Sequence, residues 1–283
     1  MSRDQRRRLM DRFARLIVWV SAAMALVPLS LVLAYTVRNG FPAAAHLDFF
    51  IHTERPVGIP GGGVEHAIVG TLIIVAVASL LAIPIGVIAG IHLAEYGFGR
   101  WGDTVRLSAD VLVAAPSIAI GLFAYALLVA PFRHFSSLSA SVALAVLMVP
   151  VVIRTTEGAV ALVPGGLREA GLALGLARWR VSLQLILPAA APGVVTGALL
   201  AVARAAGETA PLLFTGFGNR FLSLDPTQPM AALPLIVFHD ALTPYQELQN
   251  TAWGAALVLI AIVLVINLGS RLALRRQLAM ANR

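Results

Sequence analysis

The chain has 283 residues, 59% of them hydrophobic and 12% charged, with a mean hydropathy of +0.85. A water-soluble domain carries about 25% charged residues, so this composition points to a membrane protein. There is no Cys, which excludes disulfides, thiolate metal sites and thiol nucleophiles. The net charge is +7 and all 21 basic side chains are Arg; Gly61-Gly62-Gly63 therefore lacks the Lys a P-loop requires, and ATP binding of that kind by this chain is not expected.

Residues 1–15 form a basic tail with Arg3, Arg6, Arg7, Arg8, Arg12 and Arg15. Residues 16–35 follow as an unbroken apolar run, long enough for the roughly 20 residues a span requires. It is longer than a signal-peptide core and lacks a small-residue cleavage site, so a retained first helix is expected. Residues 38–65 are polar, rich in Pro and Gly, and end in the triple-glycine turn. A second span is expected at about residues 68–91, with Pro84 inside, and residues 95–106 return to water. A third is expected at 111–129, containing Pro116-Ser117. After a tight turn at Arg133-His134 comes a fourth, at 136–153, containing Pro150. Residues 189–214 and 252–268 read as the fifth and sixth, separated by a second long polar connection at 215–250. Proline inside a span is tolerated where neighbouring helices re-satisfy the freed carbonyls. The expected fold is an all-α integral membrane protein of six transmembrane helices, a single domain over residues 16–283 behind the tail.

With the tail inside, sixteen arginines fall on the inner side: the six of the tail, Arg100, Arg106, Arg154, Arg168, Arg178, Arg180, Arg271, Arg275, Arg276 and Arg283. Four fall outside: Arg38, Arg55, Arg133 and Arg220. This asymmetry fits the positive-inside rule and places both termini in the cytoplasm. It also explains the sequence pI of 11.1 by membrane flanks, so no nucleic-acid partner is expected.

Between the fourth and fifth spans, residues 158–188 form the only long mid-chain segment too polar to cross a bilayer. It carries Arg168, Glu169, Arg178 and Arg180, and the small residues Ala170, Gly171, Ala173 and Gly175 let a partner approach the backbone. Gly175 suits a helix C-terminus because glycine tolerates the left-handed conformation. A second short helix then runs through Trp179, and Pro188 marks re-entry into the membrane. An ordinary solvated loop is the plain alternative.

Inside the fifth span lies Arg204, with Glu208 four residues on, a spacing that shares one helix face. A charge at the bilayer centre costs about 2.5–3.5 kcal/mol on mild scales, so it faces a cavity or a partner. The two either pair and hold the bundle or line a polar path for a charged solute. Arg154 and Glu157, at the inner end of the fourth span, can also share a face, although arginine at such an end is commonly a snorkelling residue. Two guanidiniums beside one pore match a tetrahedral oxyanion bidentately; by charge alone phosphate, sulfate and molybdate are equivalent.

The segment Glu169-Ala170-Gly171, Gly175 and Leu185-Ile186-Leu187-Pro188 resembles the cytoplasmic loop of ABC importer permeases: Glu-Ala-Ala, three residues, Gly, nine residues, Ile-x-Leu-Pro. Gly171 stands for the second Ala and Leu185 for the Ile. The wider chain resembles PstA-type permeases of bacterial Pst phosphate importers. That likeness is carried by GGGVEHAIVGTL, HLAEYG, APSIAIGLFAY, VPVVIRTTE, LAVARAAGETAPLLFT, MAALPLIVFHDA and NTAWGAALVL.

The resemblance implies a type I ABC importer permease (MetI-like) fold in the bacterial inner membrane. It implies a PstC-type second permease, two PstB-type ATP-binding subunits and an outer PstS-type phosphate-binding protein. ATP and Mg would reside on the partner ATPase, with no cofactor on this chain. It implies transport roles for Arg154, Glu157 and Arg204; Glu208 joins them from spacing alone. ATPase docking falls to Glu169, Ala170, Gly171, Gly175, Leu187 and Pro188, and Trp179 is a further candidate contact.

The rivals are a permease for sulfate, molybdate or phosphonate, and a membrane-embedded hydrolase using Glu208 or His239. His239-Asp240 looks like a metal dyad, but no further ligand completes a set. His46, His52, His66 and His92 are scattered and read as interfacial or loop residues.

Overall fold

The computed structural model describes residues 3–59 and 61–281; side chains are described for most of them, but not for Arg3, Arg8, Arg271, Arg275 and Arg276, and Arg283 lies outside altogether. Every regular element among the described residues is a helix, and none is a strand. The helices are α1 (Arg3–Ala44), α2 (Asp48–Ile51), α3 (Glu65–Tyr96), α4 (Arg100–Ala114), α5 (Ser117–Ala124), α6 (Ser137–Ala161) and α7 (Gly165–Ala173). They continue with α8 (Arg178–Val181), α9 (Leu187–Ala206), α10 (Ala210–Thr215), α11 (Leu233–Ala241) and α12 (Gln246–Ala281). Short π-helical stretches extend α5 (Tyr125–Val129) and join α8 to α9 (Ser182–Ile186). Five segments are long and apolar enough to cross a membrane: Met10–Ala44, Glu65–Tyr96, Ser137–Ala161, Arg178–Ala206 and Gln246–Gly269. Counted as one span, the bent pair Arg100–Ala114 and Ser117–Val129 gives a sixth.

In a bilayer, moving a side chain from lipid into the bundle brings little hydrophobic gain, so close packing of small residues decides which helices meet. α3 and α6 form the most extensive pair. At Gly90 a methyl group would lie 2.6 Å from Thr156 Cβ, so only glycine permits this approach. Around the crossing, Ile74, Leu144, Met148, Val152 and Leu235 are fully buried and form the main core. α9 runs antiparallel to α6, with Gly193 against Ala159 and Gly197 against Thr155. α1 stays outside this core and meets the bundle near its end, where Tyr35 stacks edge-on against Trp253 at 5.1 Å and Gly40 abuts the Trp253 backbone.

Several boundaries differ from the sequence expectation. The third span is not one helix over 111–129: α4 and α5 meet at 102°. Ala115 precedes a proline, which disfavours the α region, and it adopts φ −64°, ψ 138°. The fifth span is likewise not continuous over 189–214. α9 ends at Ala206, and Pro211 in the first turn of α10 has no N–H to continue the ladder. Pro188 does not begin a separate element, because helix is continuous from Arg178 to Ala206; the π-helical stretch, closed by Leu187 N–H on Ser182 O, brings the chain to it without a break. Residues 95–106 do not simply return to water, since Glu95 ends α3 in a buried position.

The turn signals took the expected form. Gly61 and Gly62 have φ of +79° and +131°, and Arg133, in the turn before α6, has φ +51°. Ser136 caps α6, its Oγ accepting from Ser139 N–H at 3.1 Å. His66, expected in an interface or loop, is instead buried, and neither ring nitrogen has a partner.

Candidate functional site: a charged seam and a projecting double helix

At the end of α6, Arg154 and Glu157 share a face, with Arg154 Nη1 donating to Glu157 Oε2 at 2.7 Å. The pair is larger than its spacing indicates. Arg154 Nε lies 2.9 Å from Asp110 Oδ1 of α4, and Arg106 Nε donates to Glu157 Oε1 at 2.5 Å. Glu157 is thus held between two guanidiniums, and Arg154 between two carboxylates. Nothing in the sequence joins Asp110 and Arg106 to this pair: Arg106 is 51 residues from Glu157, and no local pattern links positions so far apart.

Arg204 sits in the last turn of α9, not deep within a helix, and Glu208 lies in the break beyond it. Their contact survives as a long one, Arg204 Nε to Glu208 Oε1 at 3.4 Å, with the arginine side chain 43% exposed. Because Gly197 meets Thr155 and the two helices are antiparallel, Arg204 stands seven residues beyond that crossing. At 1.5 Å per residue this is about 10 Å farther from the α6 end. The two arginines are therefore staged along the bundle axis.

On the α6 side, α7 and α8 project as a helical hairpin. Gly175 has φ +78°, Gly175 N–H donates to Leu172 O at 2.9 Å and Leu176 N–H to Gly171 O at 3.2 Å, which is a Schellman C-terminus. Glu169 and Ala170 are exposed, as a docking surface requires, and so is Pro188, whereas Leu187 is half-buried. Gly171 is not available for close approach by a partner. It is buried, and a Cβ there would lie 2.7 Å from Leu185 Cδ1 and 2.9 Å from Val181 Cγ2. Its smallness serves the packing of α7 on the following helix. Trp179 is half exposed beneath the Arg180 guanidinium, 5.2 Å away.

The hairpin is tied to the bundle by a residue the sequence reading sent to water. Arg168 Nε donates to Glu95 Oε1 at 2.8 Å, while its Nη1 and Nη2 cap α6 at Val163 O (2.7 Å) and Val160 O (2.9 Å).

At the opposite end of the bundle, a cavity of about 480 Å³ is lined by Glu54, Asn219, Arg220, His239 and Asp240 among others. Arg220 Nε lies 3.5 Å from Glu54 Oε1. Asp240 is buried and its Oδ2 has no partner; burial first, then the Glu54 charge, push its carboxyl up to about 7, against the opposing pull of Arg220. His239 is exposed at the cavity's rim. Among the described residues no three His, Cys, Asp or Glu side chains form a set able to hold a metal ion.

Six candidate spans, with charged residues staged along two of them and a helical hairpin tied to one end, fit the membrane component of a transporter. A family model, described as the binding-protein-dependent transport system inner membrane component, matches residues 82–277, and the chain belongs to that family and, within it, to the PstA type. The "Phosphate transport system permease protein PstA" of Yersinia pestis is 42% identical over 94% of this chain and 90% of its own length. That of Haemophilus influenzae is 42% identical over 90% of both, and that of Xylella fastidiosa 41% over 96% and 95%. Two inward-facing forms of the MetNI methionine ABC transporter share the fold at TM-scores of 0.58 and 0.61 and 19% identity. They cover 76% and 75% of this chain and 94% and 95% of theirs. The chain is a multi-pass inner-membrane transport component and not an enzyme.

Proposed function

We propose that this chain is the permease subunit that forms part of the path for inorganic phosphate through an ATP-driven importer. The observation that carries this reading is its kinship, over nearly the whole chain, with permeases named for phosphate transport. The seam chemistry agrees with it. Arg204, held by one long contact, has guanidinium donors to offer an oxyanion, and guanidinium keeps its charge at any ordinary pH. Arg154, held by two carboxylates, is more restrained, so Arg204 is the principal anion contact and Arg154 with Glu157 guards the inner mouth.

In this reading the termini and the α7–α8 hairpin face the cytoplasm. The hairpin docks, through Glu169, Ala170 and the turn at Gly175, on one of two PstB-type subunits that hold ATP and Mg. A PstC-type permease completes the membrane unit, and a PstS-type protein delivers phosphate to the outer loops.

The test is uptake of labelled phosphate by the assembled complex in vesicles, with sulfate and molybdate as competitors. ATP-dependent uptake resisted by neither competitor at tenfold excess, on the order expected for a selective site, supports phosphate. Competition by sulfate or molybdate as effective as that by unlabelled phosphate makes the chain a permease for a different oxyanion. Turnover of a phosphate ester by the purified subunit alone would support the hydrolase alternative.

A further inference from the structure

Three arginines from three different helices converge on the last turn of α3. Arg106 of α4 donates to Leu93 O at 3.0 Å and to Gly97 O at 2.9 Å. Arg168 of α7 donates to the buried Glu95 carboxylate. Arg178 of α8 reaches Glu95 O at 3.4 Å and lies over the Tyr96 ring at 5.1 Å. Two of the three also grip α6: Arg168 caps it at Val160 and Val163, and Arg106 holds Glu157. The ends of α3 and α6 are therefore clamped together twice, once by the hairpin and once by the charged seam.

Resting on the permease reading above, we propose that this double clamp is the mechanical joint of the transporter, with Glu95 and Arg106 as its positioning residues. A displacement of α7 cannot be absorbed at Arg168 without leaving the buried Glu95 carboxylate unpaired, which is strongly unfavourable. The last turn of α3 moves with the hairpin instead. Arg106 is fixed to the same turn by two carbonyls and to Glu157 by its third nitrogen, so the shift reaches the Arg154–Glu157 pair. The route is contiguous, and each step is a hydrogen bond of 3.0 Å or shorter. Neither Glu95 nor Arg106 needs to touch phosphate or the ATPase to serve in it.

The test uses the complete importer in vesicles and reads ATP hydrolysis and phosphate uptake, both normalised to assembled complex. Glu95→Gln keeps the shape and removes the charge that holds Arg168. Hydrolysis is expected to stay within about twofold of parental while uptake per ATP falls about tenfold, the upper part of the range for coupling residues. Glu95→Asp, which restores the charge, is expected to recover at least half of that loss. Uptake per ATP within about twofold of parental in Glu95→Gln overturns the proposal. So does a parallel fall of both activities in Glu95→Gln and Glu95→Asp, which marks a structural role only. If Glu95→Gln does not assemble, Arg106→Lys takes its place with the same two outcomes, since an ammonium cannot span Glu157 and both carbonyls.

A readout independent of solute separates this inference from the permease reading. With Gly158→Cys as a reporter beside Glu157, ATP should change the thiol-labelling rate in the parental background and not with Glu95→Gln. An ATP response equal in both overturns the joint, whereas absent phosphate uptake with an intact ATP response counts against the solute and leaves the joint standing.

Discussion

Arg204 and Arg154 carry the same charge under different restraint, and their substitutions should differ accordingly. Arg154→Lys keeps a charge between Asp110 and Glu157 and is expected to retain part of the parental uptake. Arg204→Lys replaces a planar fork with a point charge at the proposed oxyanion contact and should reduce uptake per complex about tenfold or more. Equal effects of the two substitutions on uptake would remove the ranking. Asp240 makes a separate prediction at the outer cavity. Its carboxyl is raised to about 7, burial being the largest cause, above an unfolded value near 3.9. A raised pKa means that the folded chain holds the proton after the unfolded chain has lost it. The stabilisation is therefore complete below about pH 4, declines as pH rises, and is gone above about pH 7. The melting temperature of the detergent-solubilised protein should fall between pH 5 and 7 more steeply in the parental chain than in Asp240→Asn. Parallel profiles would mean that Asp240 titrates normally.

The α7–α8 hairpin depends on one backbone conformation. No atom lies within 4 Å of a Cβ placed on Gly175, so harm from a substitution there arises from φ +78° and not from crowding within the chain. Left-handed geometry costs an ordinary L-residue roughly 1–2 kcal/mol, with asparagine an accepted exception. Gly175→Asn should keep ATP-driven uptake near parental, whereas Gly175→Val and Gly175→Leu should assemble in the membrane yet lose most of it. Parental uptake by Gly175→Leu would dismiss the hairpin as the coupling element. The glycine was legible in the sequence because a helix stop has a local signature. So were the spans, by hydropathy, and the Arg154–Glu157 pair, by spacing. The bend at Pro116 was obscured by the apolar run around it, where composition favours a straight span, and the break at Gly207 because the hydrophobic residues on both sides of Arg204 and Glu208 extend the run. Glu95 was misplaced because its partner Arg168 is 73 residues away; a lone acid at a span's end reads as solvated until the fold supplies the cation.

For the whole molecule, the arginine asymmetry predicts an orientation that labelling can check. The chain has no native Cys, so single cysteines report cleanly with an impermeant thiol reagent on intact cells. Gly62→Cys should label and Leu172→Cys should not; the reverse pattern would invert the topology and place the hairpin away from ATP. In the proposed reading the anion travels from the outer loops past Arg204 to an inner mouth at Arg154 and Glu157. In that reading Arg204 meets the anion and does not merely pair with Glu208. If the pair only held the bundle, replacing both charges by apolar groups would leave uptake near parental, because a 3.4 Å contact with the arginine 43% exposed contributes little to stability. The most direct measurement is phosphate uptake by the complex carrying Arg204→Met with Glu208→Leu, normalised to assembled complex. Normal assembly with uptake reduced at least about tenfold, the loss of one charge-assisted oxyanion contact, is expected; near-parental uptake would return Arg204 to a purely structural role.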